Sequence, residues 1–305
     1  PAGRRYRRRM PQRFAYQLVD VFTRERFGGN PLAVFPDAQG LDPALMQRFA
    51  FELNLSESTF VLPATRADCD VQVRIFTPRR ELPMAGHPVV GTAFVLERDG
   101  RAAEKVVFEL GVGPTPVERL DGPDGGPIWR MQQQPARFAA PLGERAAVAA
   151  ALGLAPGDLG ALPIEPVGTG NTFVMVELAS LAALARARLD AGASQALPGA
   201  VEAVGLYPFV RTGPTAARAR MFAPGDGIAE DPATGSAAGP LAAFLLAHGA
   251  LAPGAGGIAH LEIAQGVEMG RPSRIFVEVE GAGRDVPVVR VGGAAVAVGG
   301  GWLEG

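Results

Sequence analysis

Two short segments hold the residues best suited to chemistry. One is His87-Pro88-Val-Val-Gly91-Thr92-Ala93 and the other is Asp231-Pro232-Ala-Thr-Gly235-Ser236-Ala237. Each reads as a helix start, with proline in the first turn, where its missing N–H costs nothing. A helix start presents unpaired N–H groups and the positive end of the helix dipole. Two such starts facing one cleft suit an anionic ligand such as a carboxylate. They would also set His87 and Asp231 on opposite walls, while Gly91 and Gly235 leave room for a ligand or another backbone. Taken singly, the segments have plainer readings: Asp before Pro is an ordinary N-cap, and a histidine beside it serves as a cap or core residue.

A third candidate is Glu57 in Asn54-Leu-Ser-Glu57. It follows an amphipathic stretch and enters an apolar one, Thr59-Phe-Val-Leu62. Burial at that junction raises a carboxyl pKa and suits it to acid/base work. The competing reading is an ordinary solvated glutamate. Arg79, Arg80, Glu81, Asp226 and Glu230 flank the two helix starts and read as solvated loop or lid charges. Cys69, between Asp68 and Asp70, has an acidic setting that disfavours a thiolate nucleophile.

Other chemistries find little support. One cysteine allows no disulfide framework, and the 3 histidines lack metal-site spacing, so no metal is expected. The glycine-rich runs at 254–257 and 299–301 lack the strand–turn–helix context of a dinucleotide site. No Gly-x-Ser-x-Gly elbow occurs.

The elements that must position these residues alternate in type. Strands are expected at Tyr16–Phe22, Leu32–Phe35, Ser58–Leu62, Asp70–Phe76, Lys105–Leu110 and Thr115–Leu120, with a turn at Gly28-Gly29-Asn30-Pro31. Helices are expected over Asp42–Leu53 and His87–Glu97. A linker-like stretch over 121–127 suggests a boundary between an N-terminal lobe, 10–127, and a C-terminal lobe, 128–305, whose last strand returns to the first. Beyond it the pattern gives strands at Ile128–Gln133, Thr172–Glu177, Ala203–Arg211, Ala217–Phe222, Ala259–Ala264, Ser273–Val279, Val286–Val291 and Ala294–Val298. Helices fall at Glu144–Leu152, Ser180–Leu189 and from about Thr234 to His248.

An internal repeat underlies this order. Arg74-Ile-Phe-Thr-Pro78 matches Arg220-Met-Phe-Ala-Pro224, and each precedes one of the two helix starts. Gly29-Asn30 echoes Gly170-Asn171, and Glu109-Leu-Gly111-Val echoes Gln265-Gly266-Val. The matches keep their order and imply duplication of one α+β lobe.

Bulk properties agree with a large globular protein. The chain has 305 residues, 48% of them hydrophobic, enough for two cores. A net charge of −2 leaves no basic face for nucleic acid. The Arg4–Arg9 cluster has no apolar segment behind it, so it reads as an upstream extension or a misplaced start, not a secretory signal. No apolar run reaches a membrane span. A soluble cytoplasmic protein is expected.

The chain resembles the PhzF-like family of phenazine-biosynthesis proteins, relatives of diaminopimelate epimerase. The resemblance runs from Tyr16 to about Trp302. It rests on Val19-Asp-Val-Phe22 with Gly29-Asn-Pro31, Asn54-Leu-Ser-Glu57, Ala85-Gly-His-Pro88, Glu230-Asp-Pro-Ala-Thr-Gly-Ser-Ala-Ala-Gly-Pro240 and Met269-Gly-Arg-Pro-Ser273. It implies an α+β fold of two pseudo-symmetric lobes, each a curved, mostly antiparallel sheet or barrel around a central helix. It further implies a homodimer, a small-molecule substrate and no cofactor. Two-thiol racemases of this superfamily use cysteines at the paired helix starts; here those places are expected to hold His87 and Asp231. The implied catalytic residues are Glu57, His87 and Asp231, with Asn30, Gly86, Gly91, Thr92, Gly235 and Ser236 at the substrate. The implied reaction is a proton shift by Glu57, as in isomerisation of trans-2,3-dihydro-3-hydroxyanthranilate. Two alternatives remain: a racemase or epimerase using His87 and Asp231 as two bases, and a non-catalytic small-molecule-binding protein.

Overall fold

The computed structural model describes residues 12–190, 192–193, 197, 203–226 and 228–305. The Arg4–Arg9 cluster lies outside the described residues. Five α-helices occur among those described: α1 (Pro43–Leu53), α2 (Gly86–Arg98), α3 (Arg145–Ala151), α4 (Leu181–Arg186) and α5 (Gly235–Ala247).

Strands carry the two-residue period of the sequence. In Val71–Phe76 the side chains of Val73 and Ile75 point into the core, while Gln72 and Arg74 are only partly covered. Pairing follows one plan twice. In the first lobe the neighbours run Ala295–Glu304, Arg13–Val21, Asn30–Phe35, Glu57–Pro63, Val71–Phe76, Lys105–Leu110, Gly113–Asp121 and Pro127–Gln133. In the second they run Arg137–Phe138, Glu165–Gly168, Thr172–Glu177, Gly205–Gly213, Ala216–Ala219, Ile258–Gln265, Ser273–Ala282 and Asp285–Gly293. The senses match pair by pair: two antiparallel, one parallel, one antiparallel, one parallel, two antiparallel. The last strands of the two series, Pro127–Gln133 and Asp285–Gly293, pair with each other and join the lobes into one sheet.

The repeat is therefore structural as well as sequential, and the fold is the expected α+β pair of lobes. Each sheet curls around its own helix. α5 is buried from Gly235 through Leu246, and α2 is buried nearly all round. A helix that is apolar on every side has to be wrapped. Remaining helices cover outer faces. α1 lies over an aromatic cluster in which Phe35 stacks on Phe60 at 4.7 Å, and α3 and α4 cover the second lobe.

Some elements differ from the sequence expectation. The final strand runs to Glu304, because its partner Arg13–Val21 extends alongside it. Glu165–Gly168 and Ile228–Asp231 are strands too short to show a period. Among the described residues no helix is long and apolar enough to cross a membrane.

Candidate active site

Both central helices open at the seam between the lobes, and their first residues touch. A Cβ on Gly86 would stand 2.8 Å from Cα and C of Gly235 and from N of Ser236. One on Gly235 would meet the Phe22 ring at 2.9 Å. Only glycine lets the openings approach this closely. Around the contact lies a pocket. Glu57, Arg80, Gly86 and His87 from the first lobe line it, facing Asn171, Asp231, Thr234, Gly235 and Ser236 from the second.

Local structure explains how Glu57 arrives there. Asp42 caps α1, accepting from the Leu45 N–H at 2.9 Å, and Pro43 follows it. The helix ends at Asn54, which adopts a left-handed φ of 50°. That break turns the chain into the strand Glu57–Pro63, so Glu57 becomes its first residue, buried at the pocket edge. Its Oε2 lies 3.4 Å from Nε2 of His87.

His87 is buried on α2, and burial pushes its pKa down to about 3, so the ring is neutral at physiological pH. Asp231 is also buried, and burial raises its carboxyl to about 6 against hydrogen bonds that pull it down. Those bonds are the Thr234 hydroxyl to Oδ2 at 2.6 Å, the Asn30 amide to Oδ1 at 2.8 Å and the Ser56 hydroxyl to Oδ1 at 3.0 Å. Gln265 braces this corner. Its Nε2 donates to the Asp231 carbonyl at 2.7 Å and to Oγ1 of Thr234 at 2.9 Å, while its Oε1 accepts from Tyr207 at 2.9 Å.

The geometry corrects the sequence reading in three places. Asp231 is not the cap of α5: it ends the strand Ile228–Asp231, and Thr234 is the N-cap. The two helix starts therefore align Gly86 with Gly235 and His87 with Ser236, not His87 with Asp231. The cap positions hold Ala85 and Thr234. Second, Gly91 and Thr92 do not reach the pocket. A turn further into α2, Gly91 packs on Leu32 and Val21, and Thr92 exchanges a hydrogen bond with Thr59 at 2.9 Å. Third, Asn30 stands behind His87 and Asp231, not among the lining residues.

Glu81 and Glu230, read as solvated charges, are paired. Arg74 grips Glu81 through two nitrogens at 2.7 and 2.6 Å, and Arg220 grips Glu230 the same way at 2.7 Å. These are the arginines of the repeated motif, so each lobe ties its pocket loop with the same fork. Arg220 also donates to the Leu184 and Ala187 carbonyls at the end of α4. The Asp226 side chain lies outside the described part. Ser56, Thr234, Gln265 and Tyr207 were not singled out from sequence. Ser56 and Thr234 sit inside quoted motifs, and Gln265 opens one, so their signal was present; Tyr207 had none. Among the described residues no three His, Cys, Asp or Glu side chains come together as a metal site.

Comparison with known proteins decides the family. The model of the phenazine biosynthesis-like proteins, PhzC-PhzF, matches residues 19–301. The chain belongs to that family. Its relatives include a trans-2,3-dihydro-3-hydroxyanthranilate isomerase of Pseudomonas aeruginosa, 41% identical over 92% of this chain and 96% of that protein. An enzyme of the same name from Pseudomonas fluorescens is 40% identical over 94% and 98%. Among solved structures, a PhzF-family protein of Bacillus anthracis superposes with a TM-score of 0.87 at 26% identity, covering 96% of this chain and 99% of that one. A hydroxyproline epimerase of Agrobacterium vitis shares the fold, with a TM-score of 0.66 at 12% identity and 97% and 94% coverage. The PhzF family and its two-lobed fold are thus as the sequence motifs implied.

Proposed function

We propose that this isomerase moves a proton within a small carboxylate-bearing substrate, with Glu57 as the group that takes and returns it. The reaction for which its relatives are named, isomerisation of trans-2,3-dihydro-3-hydroxyanthranilate, is the one assigned. One observation carries the reading: Glu57 shares a pocket with both helix openings, at a strand end that the chain builds for it. The opening N–H groups of α2 and α5 offer an anion site, which suits the substrate carboxylate. Held there, the substrate presents a ring carbon to Glu57. The carboxylate removes the proton from the carbon bearing the hydroxyl, the conjugated diene spreads the charge, and the same carboxyl protonates another ring carbon. The resulting enol becomes a ketone.

Asp231 is poorly placed to act as a second base, because three donors occupy its oxygens. The racemase alternative needs both Asp231 and His87 as bases, so this hydrogen bonding weighs against it. Glu57→Gln tests the proposal. The variant should fold, retain substrate affinity within about threefold and lose kcat by at least ~10²-fold. Incorporation of solvent deuterium into product should vanish with it. A Gln variant that still exchanges deuterium at the native rate would remove Glu57 from the role.

A further inference from the structure

Asn30 is fully buried, and its amide nitrogen meets three groups. Nδ2 lies 2.8 Å from Oδ1 of Asp231, 3.0 Å from the Ala233 carbonyl and 3.1 Å from Nδ1 of His87. A carbonyl and a carboxylate only accept, so the amide must turn its NH₂ toward them. That same NH₂ then faces Nδ1 of His87. A proton on Nδ1 would set donor against donor. The ring proton therefore belongs on Nε2, the atom 3.4 Å from Oε2 of Glu57.

We propose that Asn30 is a positioning residue that holds His87 as its Nε2–H tautomer, making the imidazole a fixed hydrogen-bond donor at the Glu57 end of the pocket. The inference rests on the proposed role of Glu57 but concerns a different atom. It gives His87 one task, donation to the Glu57 carboxylate or to a substrate oxygen beside it. Asn30 is itself held from both lobes. It begins the strand Asn30–Phe35, opposite Val21, and Arg271 of the second lobe donates to the Gly28 carbonyl at 2.8 Å and the Gly29 carbonyl at 2.9 Å. The carboxylate it orients, Asp231, belongs to the second lobe. One amide thus reads the alignment of both halves of the site.

Long-range proton–nitrogen correlation spectra of ¹⁵N-labelled protein test this directly. The chain has 3 histidines, and His87→Gln identifies the signals of His87 by their loss. The wild type should show a protonated Nε2 and an unprotonated Nδ1, unchanged between about pH 6 and 8. A protonated Nδ1, or signals averaged over two tautomers, would overturn the proposal whatever the variants do. Asn30→Ala should give averaged signals and lower kcat by about 10–100-fold while KM moves less than about threefold. An Asn30→Ala protein that folds and keeps the pure Nε2–H form would also sink it. Failure of the Glu57 proposal would appear in the deuterium experiment and leave the nitrogen spectrum as predicted.

Discussion

Asp231 shows how one carboxylate is tuned by opposing effects. Burial raises its pKa to about 6, and hydrogen bonds from Thr234, Asn30 and Ser56 hold it from going higher. The Thr234 hydroxyl accepts from Gln265, so its own proton is directed at Asp231. With all three groups donating, the bonding favours the ionised form. Above about pH 6 the carboxylate is ionised and the cluster is matched. Below it, Asp231 takes up a proton, and at least one of its donors has to turn away or become an acceptor. The profile of kcat/KM should therefore fall on the acid side of about pH 6. Ser56→Ala removes one donor to the charged form, so the Asp231 pKa rises and the acid limb should move up by roughly half a unit to one unit. A limb that stays in place in Ser56→Ala would belong to another group. Sequence alone named Asp231 but not this tuning, because two of its three donors come from positions 30 and 56, which only the folded chain brings to it.

At the scale of elements, the site is a contact between two helix openings. The sequence disclosed both helices and the repeat that relates them, because apolar residues cluster around Pro88 and around Pro240 and the flanking motifs match. It did not disclose their register. Pro88 and Pro232 invite superposition, since proline favours a first turn, and that choice matches His87 with Asp231. Tertiary pairing overrides it: Asp231 is drawn into a short strand against Met221, and α5 waits until Gly235 to begin. What looked like ligand room at Gly91 is room for Leu32 and Val21. The glycine that matters on α2 is Gly86. Adding one methyl there places it against backbone, 2.8 Å from Gly235, where no side chain can swing aside. Gly86→Ala should force the openings apart, cost about 1–3 kcal/mol and lower turnover. Denaturant titration with parallel kinetics checks it. Gly40→Ala is the control for the assay, because a Cβ at Gly40 meets nothing within 4 Å. Its φ of 87° still brings a backbone cost but none at the site.

Across the whole molecule, the two lobes have to hold one alignment for Glu57, His87 and Asp231 to share a pocket. The seam strands Pro127–Gln133 and Asp285–Gly293 fix the sheet, and the strand Ala295–Glu304 carries the chain end back onto Arg13–Val21. A charge pair adds a tie near the pocket. Arg271, on the loop before Ser273–Ala282, donates to Oδ1 of Asp20 at 2.6 Å, and the Asp20 side chain is only 3% exposed. Asp20 also accepts the Phe27 N–H at 2.6 Å, so one carboxylate anchors both the opposite lobe and the turn that carries Asn30. Removing the arginine alone leaves a buried charge with half its partners, a loss of about 3 kcal/mol. Arg271→Ala should therefore be strongly destabilised. Asp20→Asn should be milder, because Arg271 is partly exposed and water can take the place of the lost partner. Combining them removes the stranded charge, so the double variant should be more stable than the sum of the single losses by at least about 1 kcal/mol. Turnover should behave differently. The carbonyls of Gly28 and Gly29 lose their donor in both Arg271 variants, so the double variant should regain stability without regaining kcat. Strict additivity in the denaturant cycle, or recovery of kcat alongside stability, would mean that the pair does not hold the lobes in register for the site.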